Sequence, residues 1–146
     1  MKTAVLFCGA RRTAYCQELL ENSGFLLTQV RTAQEAGQPA CLGQLLKQNR
    51  MVCAVGPSHS GRPSFGQPLF QALGVPLLDD SPQGVLVLQG NECSGWLVES
   101  REQAVALLPD KPEYLMQLLP QLWLRLRRKF HLQQAVNHAF SGKEQP

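Results

Sequence analysis

Residues 51–66 read MVCAVGPSHSGRPSFG, and this stretch decides the fold class. Its first part, MVCAV at 51–55, is continuously apolar, as is typical of a parallel strand buried on both faces. The part that follows, 56–66, is dense in glycine, proline and serine and predicts a loop at the end of that strand. Residues 3–8, TAVLFC, show the same pattern and end at Gly9. We therefore predict two neighbouring inner strands of a mostly parallel sheet.

The rest of the chain alternates between strand and helix patterns, with one exception. Two apolar runs are separated by the turn sequence QGNECSG at 89–95, which predicts a β-hairpin. The predicted strands are 25–31, 85–88, 96–99 and 104–108, and the predicted helices are 10–21, 41–48, 68–73 and one that begins at Pro112. A short helix from Ala33, capped by Thr32, is also expected. This order predicts an α/β fold, a single three-layer α/β/α domain at 1–140 with a mostly parallel sheet plus a β-hairpin, followed by a flexible tail at 141–146.

Two of the predicted helices have a recognisable apolar side. The last helix carries a leucine stripe that should face the sheet, formed by Leu115, Leu119, Leu122 and Leu126. In the first helix, Ala14, Leu19 and Leu20 are expected on the inner side. The basic run at 127–129 follows the stripe. We interpret it as positive charge that complements the helix dipole rather than as a nucleic-acid surface.

Composition and charge exclude several classes of protein. The chain has 146 residues, of which 44% are hydrophobic and 17% charged, so it suits one compact domain. A net charge of +3 is too small to indicate nucleic-acid binding. No apolar run approaches the ~20 residues of a membrane helix, and the N-terminal run is too short for a signal peptide. We therefore expect a cytoplasmic protein with no membrane partner.

The cysteines give no sign of a disulfide framework or a structural zinc site. There are five, an odd number, with no CxxC pair and no histidine pair at zinc spacing. Cys8 and Cys53 lie in the two inner strands, and we expect both to be reduced and buried.

The candidate ligand site consists of the loops that follow these inner strands. Adjacent parallel strands present their carboxyl ends at one sheet edge, so the loops should converge there. The predicted ligand-binding residues are Gly9, Arg11, Arg12, Gly56, Ser58, His59, Ser60, Gly61 and Arg62. Glycines let backbone amides approach a ligand closely, and arginine pairs with phosphate or carboxylate. The alternative is a solvated loop pair without a ligand.

Two other polar motifs are weaker candidates. His59 could act as a general base for Ser58 or Ser60, but no nucleophile-elbow motif and no nearby acid accompany it. Asp79 and Asp80 could bind a metal, although paired aspartates before Ser-Pro are more typical of a turn. We assign no catalytic residue and no metal ligand.

Residues 55–77, VGPSHSGRPSFGQPLFQALGVPL, resemble the loop and helix of the molybdopterin-binding domain family, which includes MoaB, MogA and the N-terminal domain of CinA. The segments GWLVE at 95–99 and AVALLPDKP at 104–112 are similar to the strand pair that precedes that family's Pro-Gly-x-Pro turn. These segments cover about half of the chain. The resemblance implies a MoaB/MogA-like fold and a ligand such as molybdopterin or a nucleotide.

The chain departs from the family pattern at charged positions. Aligned without gaps, Gly56 keeps a family glycine and Ser60 stands where threonine is usual. Arg62 and Pro63 replace two aspartates, and Asp110 replaces a glycine. Because a carboxylate can hold Mg²⁺ and an arginine cannot, these departures argue against metal-dependent transfer chemistry and leave direct anion binding open.

Three hypotheses therefore remain open from the sequence. The first is a divergent domain that binds a small phosphate-bearing, nucleotide or pterin-like ligand and is not an enzyme. The second is an interaction or scaffold protein that keeps the fold without a working pocket. The third is a transferase or hydrolase, which would need an acidic residue near His59. A homo-oligomer is compatible with all three.

Overall fold

The computed structural model describes the backbone of residues 1–141 and the side chains of residues 1–130. The strands are β1 (Lys2–Cys8), β2 (Leu26–Ala33), β3 (Met51–Gly56), β4 (Ser58–His59), β5 (Arg62–Pro63), β6 (Leu77–Leu78), β7 (Ser81–Pro82), β8 (Leu86–Gln89), β9 (Ser94–Glu99) and β10 (Ala104–Pro109). The helices are α1 (Thr13–Asn22), α2 (Gln38–Leu46), α3 (Gln67–Ala72) and α4 (Pro112–Ser141), with a 3₁₀ turn at Glu35–Gly37. Of the predicted tail at 141–146, Ser141 belongs to α4 and residues 142–146 lie outside the described residues.

The main sheet is mostly parallel. Within the described residues it has six strands in the order β2-β1-β3-β10-β9-β8. Strands β2, β1, β3 and β10 run parallel, whereas β9 pairs antiparallel with both β10 and β8. The predicted neighbours β1 and β3 are confirmed, with Val5 opposite Cys53, and the hairpin of β8 and β9 is confirmed at one edge.

Helices cover both faces of this sheet. Helices α1 and α4 pack on one face through Cys16, Leu20 and the predicted leucine stripe, whose four members are at most 2% exposed. Helices α2 and α3 pack on the other face through Leu42, Leu45 and Leu69. The three-layer α/β/α prediction is therefore confirmed.

The two inner-strand cysteines are buried, as predicted. Cys8 is 1% exposed and Cys53 is fully buried. Burial raises the pKa of the Cys53 thiol to about 12. Burial, followed by the neighbouring Cys41, raises the pKa of the Cys8 thiol to about 12 as well. Both thiols therefore stay protonated at neutral pH.

Helix α1 begins later than predicted. It starts at Thr13 because Gly9 (φ 65°) and Arg12 (φ 54°) adopt left-handed backbone conformations that no helix can include. The inner face of α1 is also shifted, since Cys16 and Leu20 are buried and Ala14 is exposed.

Helix α2 and the loop after β3 also differ from prediction. Residues 32–33 extend β2 rather than starting a helix, and α2 begins at Gln38. Pro39 lies in its first turn, where a missing N–H is harmless. The segment 56–66 is not one irregular loop, because β4 and β5 form a small hairpin within it.

Candidate ligand-binding groove

The carboxyl ends of three parallel strands meet around Asp110. The backbone N–H of Asp110 donates to the carbonyl oxygen of Gly56 at 2.8 Å, which ties the end of β10 to the end of β3. Its carboxylate Oδ2 accepts the backbone N–H of Arg11 at 2.8 Å, which ties it to the loop after β1. The Cys16 thiol donates to the Asp110 carbonyl oxygen at 3.2 Å. The loops after β1 and β3 are therefore joined through Asp110.

A half-open groove of about 780 Å³ lies at this edge, displaced from Asp110 toward the β8–β9 hairpin. Its walls come from the β4–β5 hairpin, from the turn that joins β8 and β9, and from the start of α4. A cavity of this volume is within the range of small-molecule sites. The groove is lined by Ser58, Ser60, Gly61, Arg62, Ser81, Val87, Gln89, Glu92, Cys93, Ser94, Trp96, Lys111 and Tyr114.

The β4–β5 hairpin is held against the β8–β9 turn at Gly61. Ser60 (φ 52°) and Gly61 (φ 78°) form its turn, and two successive positive φ angles are the signature of a type I′ turn. The carbonyl oxygen of Gly61 accepts the backbone N–H of Ser94 at 2.8 Å. A Cβ atom at Gly61 would lie 2.1 Å from the carbonyl oxygen of Glu92. Only glycine therefore allows the two turns to approach this closely.

The groove carries more positive than negative charge among its described lining residues. Arg62 and Lys111 are exposed cations, and Glu92 is the one carboxylate beside them. The ammonium nitrogen of Lys111 lies 4.8 Å from the centroid of the Tyr114 ring, a cation–π distance that keeps the amine near the groove. On the opposite wall, Trp96 packs edge-on against Phe70 with ring centroids 5.3 Å apart.

Four of the predicted site residues line this groove together: Ser58, Ser60, Gly61 and Arg62. The other five, Gly9, Arg11, Arg12, Gly56 and His59, are not among its lining residues. The predicted site is thus divided, and its β4–β5 part is joined by residues from the end of β10 and from the β8–β9 hairpin.

Packing explains the glycine at 56. A Cβ atom there would lie 2.6 Å from the Phe65 ring and 2.7 Å from the carbonyl oxygen of Cys8. By contrast, a Cβ atom at Gly9 would meet nothing within 4 Å, so that position requires glycine only for its positive φ. The exposed His59 lies opposite Arg62 in the β4–β5 pair, and no described acidic residue contacts its side chain.

Sequence reasoning missed the lining residues that come from later in the chain. Lys111 could have been found, because it lies two positions after Pro109, where β10 ends at the same edge as β3. From the sequence, Ser94 and Glu92 are predicted only as part of a hairpin turn. Nothing in their residue types indicated that the turn would contact Gly61.

The paired aspartates form a turn. Asp79 (φ 51°) and Asp80 (φ 64°) are exposed and connect β6 to β7 as a second type I′ turn. In the part of the chain that the structure describes, no group of three or more His, Cys, Asp or Glu residues is arranged to hold a metal ion.

The fold matches solved structures of one group of proteins. CinA from Thermoplasma acidophilum, described as a protein of unknown function, has a TM-score of 0.67 at 13% identity, over 86% of this chain and 98% of that chain. A putative molybdenum cofactor biosynthesis protein from Corynebacterium diphtheriae gives 0.61 at 12% identity, over 90% and 96%. The tungsten cofactor synthesizing protein MoaB from Pyrococcus furiosus gives 0.56 at 11% identity, over 92% and 95%.

These similarities define the class of domain: a three-layer α/β/α fold with a mostly parallel sheet and an antiparallel hairpin. More particularly, the chain has a MoaB/MogA/CinA-like fold at low sequence identity. By sequence, no family model and no curated protein matches the chain. Among the described residues, no helix combines the length and apolar character needed to cross a bilayer.

Proposed function

We propose that this chain is a divergent molybdopterin-binding-like domain whose groove binds a small anion directly, through Arg62 and Lys111. The observation that carries the proposal is the position of these two cations on the wall of one groove of about 780 Å³. Two cations lining one cavity repel each other, and a bound phosphate or carboxylate would compensate both. The resemblance to proteins that handle molybdenum or tungsten cofactors makes a pterin-like or nucleotide ligand the first choice.

The rest of the groove suits a ligand that combines an anionic group with a planar ring. The hydroxyls of Ser58, Ser60 and Ser94 can donate to phosphate oxygens. Trp96 provides aromatic surface for a heterocycle, whereas the Tyr114 ring already lies against the Lys111 amine. The phosphate would thus lie between Arg62 and Lys111, and the ring against Trp96.

We further propose that binding requires no metal and that the groove performs no metal-dependent transfer. Mg²⁺ prefers carboxylate and phosphate oxygens, and Glu92 is the single carboxylate in the described lining. Asp110 is engaged with the backbone of Arg11, and Asp79 lies in the exposed β6–β7 turn. Arginine holds phosphate without a metal, often with two parallel hydrogen bonds.

Isothermal titration with adenosine 5′-monophosphate and with a pterin phosphate tests this function. Arg62→Ala and Lys111→Ala should each weaken binding about tenfold or more, because a charge-assisted hydrogen bond is worth about 1.5–3 kcal/mol. Arg11→Ala is the matched control, since Arg11 does not line the groove, and it should leave the affinity unchanged. Affinity should be the same in Mg²⁺ and in EDTA.

Two results would contradict the proposal. Binding that is lost in Arg11→Ala but kept in Arg62→Ala would place the site at the loop after β1. Strict dependence on Mg²⁺ would mean that acidic side chains carry the binding.

One observation favours the alternative of an interaction protein. Strand β8 is an edge strand of the sheet, and its Leu86 and Val87 are 40% and 51% exposed. Exposed apolar edge strands pair readily with other chains. Sedimentation would then show association that Leu86→Lys abolishes, and neither anion would bind.

A further inference from the structure

A second cavity, of about 820 Å³, lies at the opposite edge of the sheet, where the parallel strands begin. It is bounded by Lys2 at the start of β1, by residues 28–29 of β2, by the segment 48–51 before and at the start of β3, and by α4. We call it the amino-edge pocket. The proposed function does not involve this end of the sheet.

One wall of the amino-edge pocket is aromatic and rigidly supported. Trp123 packs edge-on against Phe25, with ring centroids 5.2 Å apart at 86°. Gly24 makes room for the indole, since a Cβ atom there would lie 2.9 Å from the Trp123 ring. Phe130 and the fully buried Met51 continue the apolar surface. Among these side chains Trp123 is the partly exposed one, so its supported indole is the surface that a flat ring can contact.

The polar rim of the pocket is also ordered. The Asn49 side chain accepts the Thr28 hydroxyl at 2.8 Å and donates to Gln29 Oε1 at 2.7 Å and to the Leu45 carbonyl oxygen at 2.9 Å. These bonds join the rim of β2 to the segment before β3. The rim is thus fixed in place around the cavity mouth.

The charges around the pocket are all of one sign. Lys2, Arg50 and Arg127 line it, and no aspartate or glutamate does so among the residues that the structure describes. The Arg50 guanidinium lies 5.2 Å from the Phe130 ring centroid, a cation–π contact that joins positive charge to the aromatic wall. A cavity with aromatic walls and a cationic rim complements a molecule that has a flat apolar body and an acidic group.

We propose that the amino-edge pocket, with Trp123 and Phe130 on its wall and Lys2 and Arg127 on its rim, is a binding site for an aromatic anion. The ligand class is a fused aromatic ring that carries a carboxylate or a phosphate. The ring packs against the Trp123–Phe130 wall, and the acidic group pairs with Arg127 and Lys2. This site is separate from the groove at the carboxyl edge, so the two can be tested independently.

The two tryptophans of the chain make that separation measurable, because Trp123 lines the amino-edge pocket and Trp96 lines the groove. The ¹⁵N-labelled protein gives one indole N–H signal for each, and Trp96→Phe assigns them. Titration with 1-naphthyl phosphate and with 1-naphthoate should shift the Trp123 signal to the same extent in the unaltered protein and in Arg62→Ala, in which binding at the groove is weakened. Comparison of the two probes shows whether phosphate or carboxylate is preferred.

The neutral analogue and the free anion test the two halves of the ligand. At equal concentration, 1-naphthol and inorganic phosphate should each shift the Trp123 signal much less than 1-naphthyl phosphate does. Equal effects of 1-naphthol and 1-naphthyl phosphate would overturn the role of the cations. No shift of the Trp123 signal with either naphthyl anion would overturn the site.

Adjacent arginines on α4 supply a matched pair of variants. Arg127→Gln should weaken binding of 1-naphthyl phosphate about tenfold, as expected for the loss of one charge-assisted hydrogen bond. Arg128→Gln removes the same charge one position away, from an exposed residue that does not line the pocket, and should leave affinity unchanged. Equal losses in both variants would show a general effect of net charge and would contradict the proposal.

Discussion

Replacement of Gly61 by alanine tests the packing that builds the candidate groove. Gly61 connects the β4–β5 hairpin to the β8–β9 turn, and three of its features oppose a side chain. Its φ is +78°, the site of a Cβ atom lies 2.1 Å from the Glu92 carbonyl oxygen, and its own carbonyl accepts the Ser94 N–H. A methyl group there must push the two turns apart.

The expected loss of stability in Gly61→Ala is the sum of three costs, one for each feature. A left-handed conformation costs an alanine about 1–2 kcal/mol. Overpacking against a backbone atom costs about 1–3 kcal/mol. Lengthening the hydrogen bond to Ser94 costs about 0.5–1.5 kcal/mol. Gly61→Ala should therefore lower the free energy of unfolding by about 2.5–6.5 kcal/mol, a large part of the ~5–15 kcal/mol typical of a domain.

Gly74→Ala is the matched control. Gly74 has a similar φ of +73°, but a Cβ atom there would meet nothing within 4 Å. Gly74→Ala should lower the free energy of unfolding only by the cost of the left-handed conformation, about 1–2 kcal/mol. Urea unfolding followed by far-UV circular dichroism measures both variants. If Gly61→Ala and Gly74→Ala differ by less than about 0.5 kcal/mol, the contact between the two turns does not exist in solution.

Two further predictions concern the core. Leu119→Ala should lower the free energy of unfolding by about 2–5 kcal/mol, because the side chain is 2% exposed. The control Leu124→Ala, on the same helix but 61% exposed, should change that free energy by less than about 0.5 kcal/mol in the same urea assay. Burial raises the pKa of the Cys53 thiol from 9.0 to about 12, so the unfolded chain releases this proton first and stability should fall as the pH rises through that interval. Cys53→Ala should reduce the difference in the free energy of unfolding between pH 9 and pH 11, measured by urea unfolding. An unchanged difference would contradict a contribution from the Cys53 thiol.

Continuous apolar runs carried most of the fold prediction. The segments that form β1, β3 and β10 are buried along nearly their whole length, and their short, continuously apolar sequences are typical of strands buried on both faces. Helix beginnings were less predictable. The start of α1 depends on the positive φ of Arg12, and arginine is not a residue type that indicates a left-handed conformation.

The candidate site was only partly accessible from the sequence. Residues 58–62 were found because they follow a strand end. Ser60-Gly61 and Asp79-Asp80 each make a type I′ turn, but a serine or an aspartate at the first position is a weak signal without its pairing partner. Lys111 and Ser94 reach the groove only because β10 inserts between β3 and β9, and that strand order is a tertiary property.

The unusual residues at 62 and 110 are best understood together. The family that the sequence resembles has an acid at the first position and a glycine at the second, where this chain has an arginine and an aspartate. The Asp110 carboxylate accepts the Arg11 N–H at 2.8 Å, outside the groove lining, so it contributes to the structure of the strand ends. Arg62 lines the groove with Lys111. In the proposed function, an arginine in the groove takes the place of a carboxylate, and because arginine can pair with phosphate directly, we expect binding without a metal.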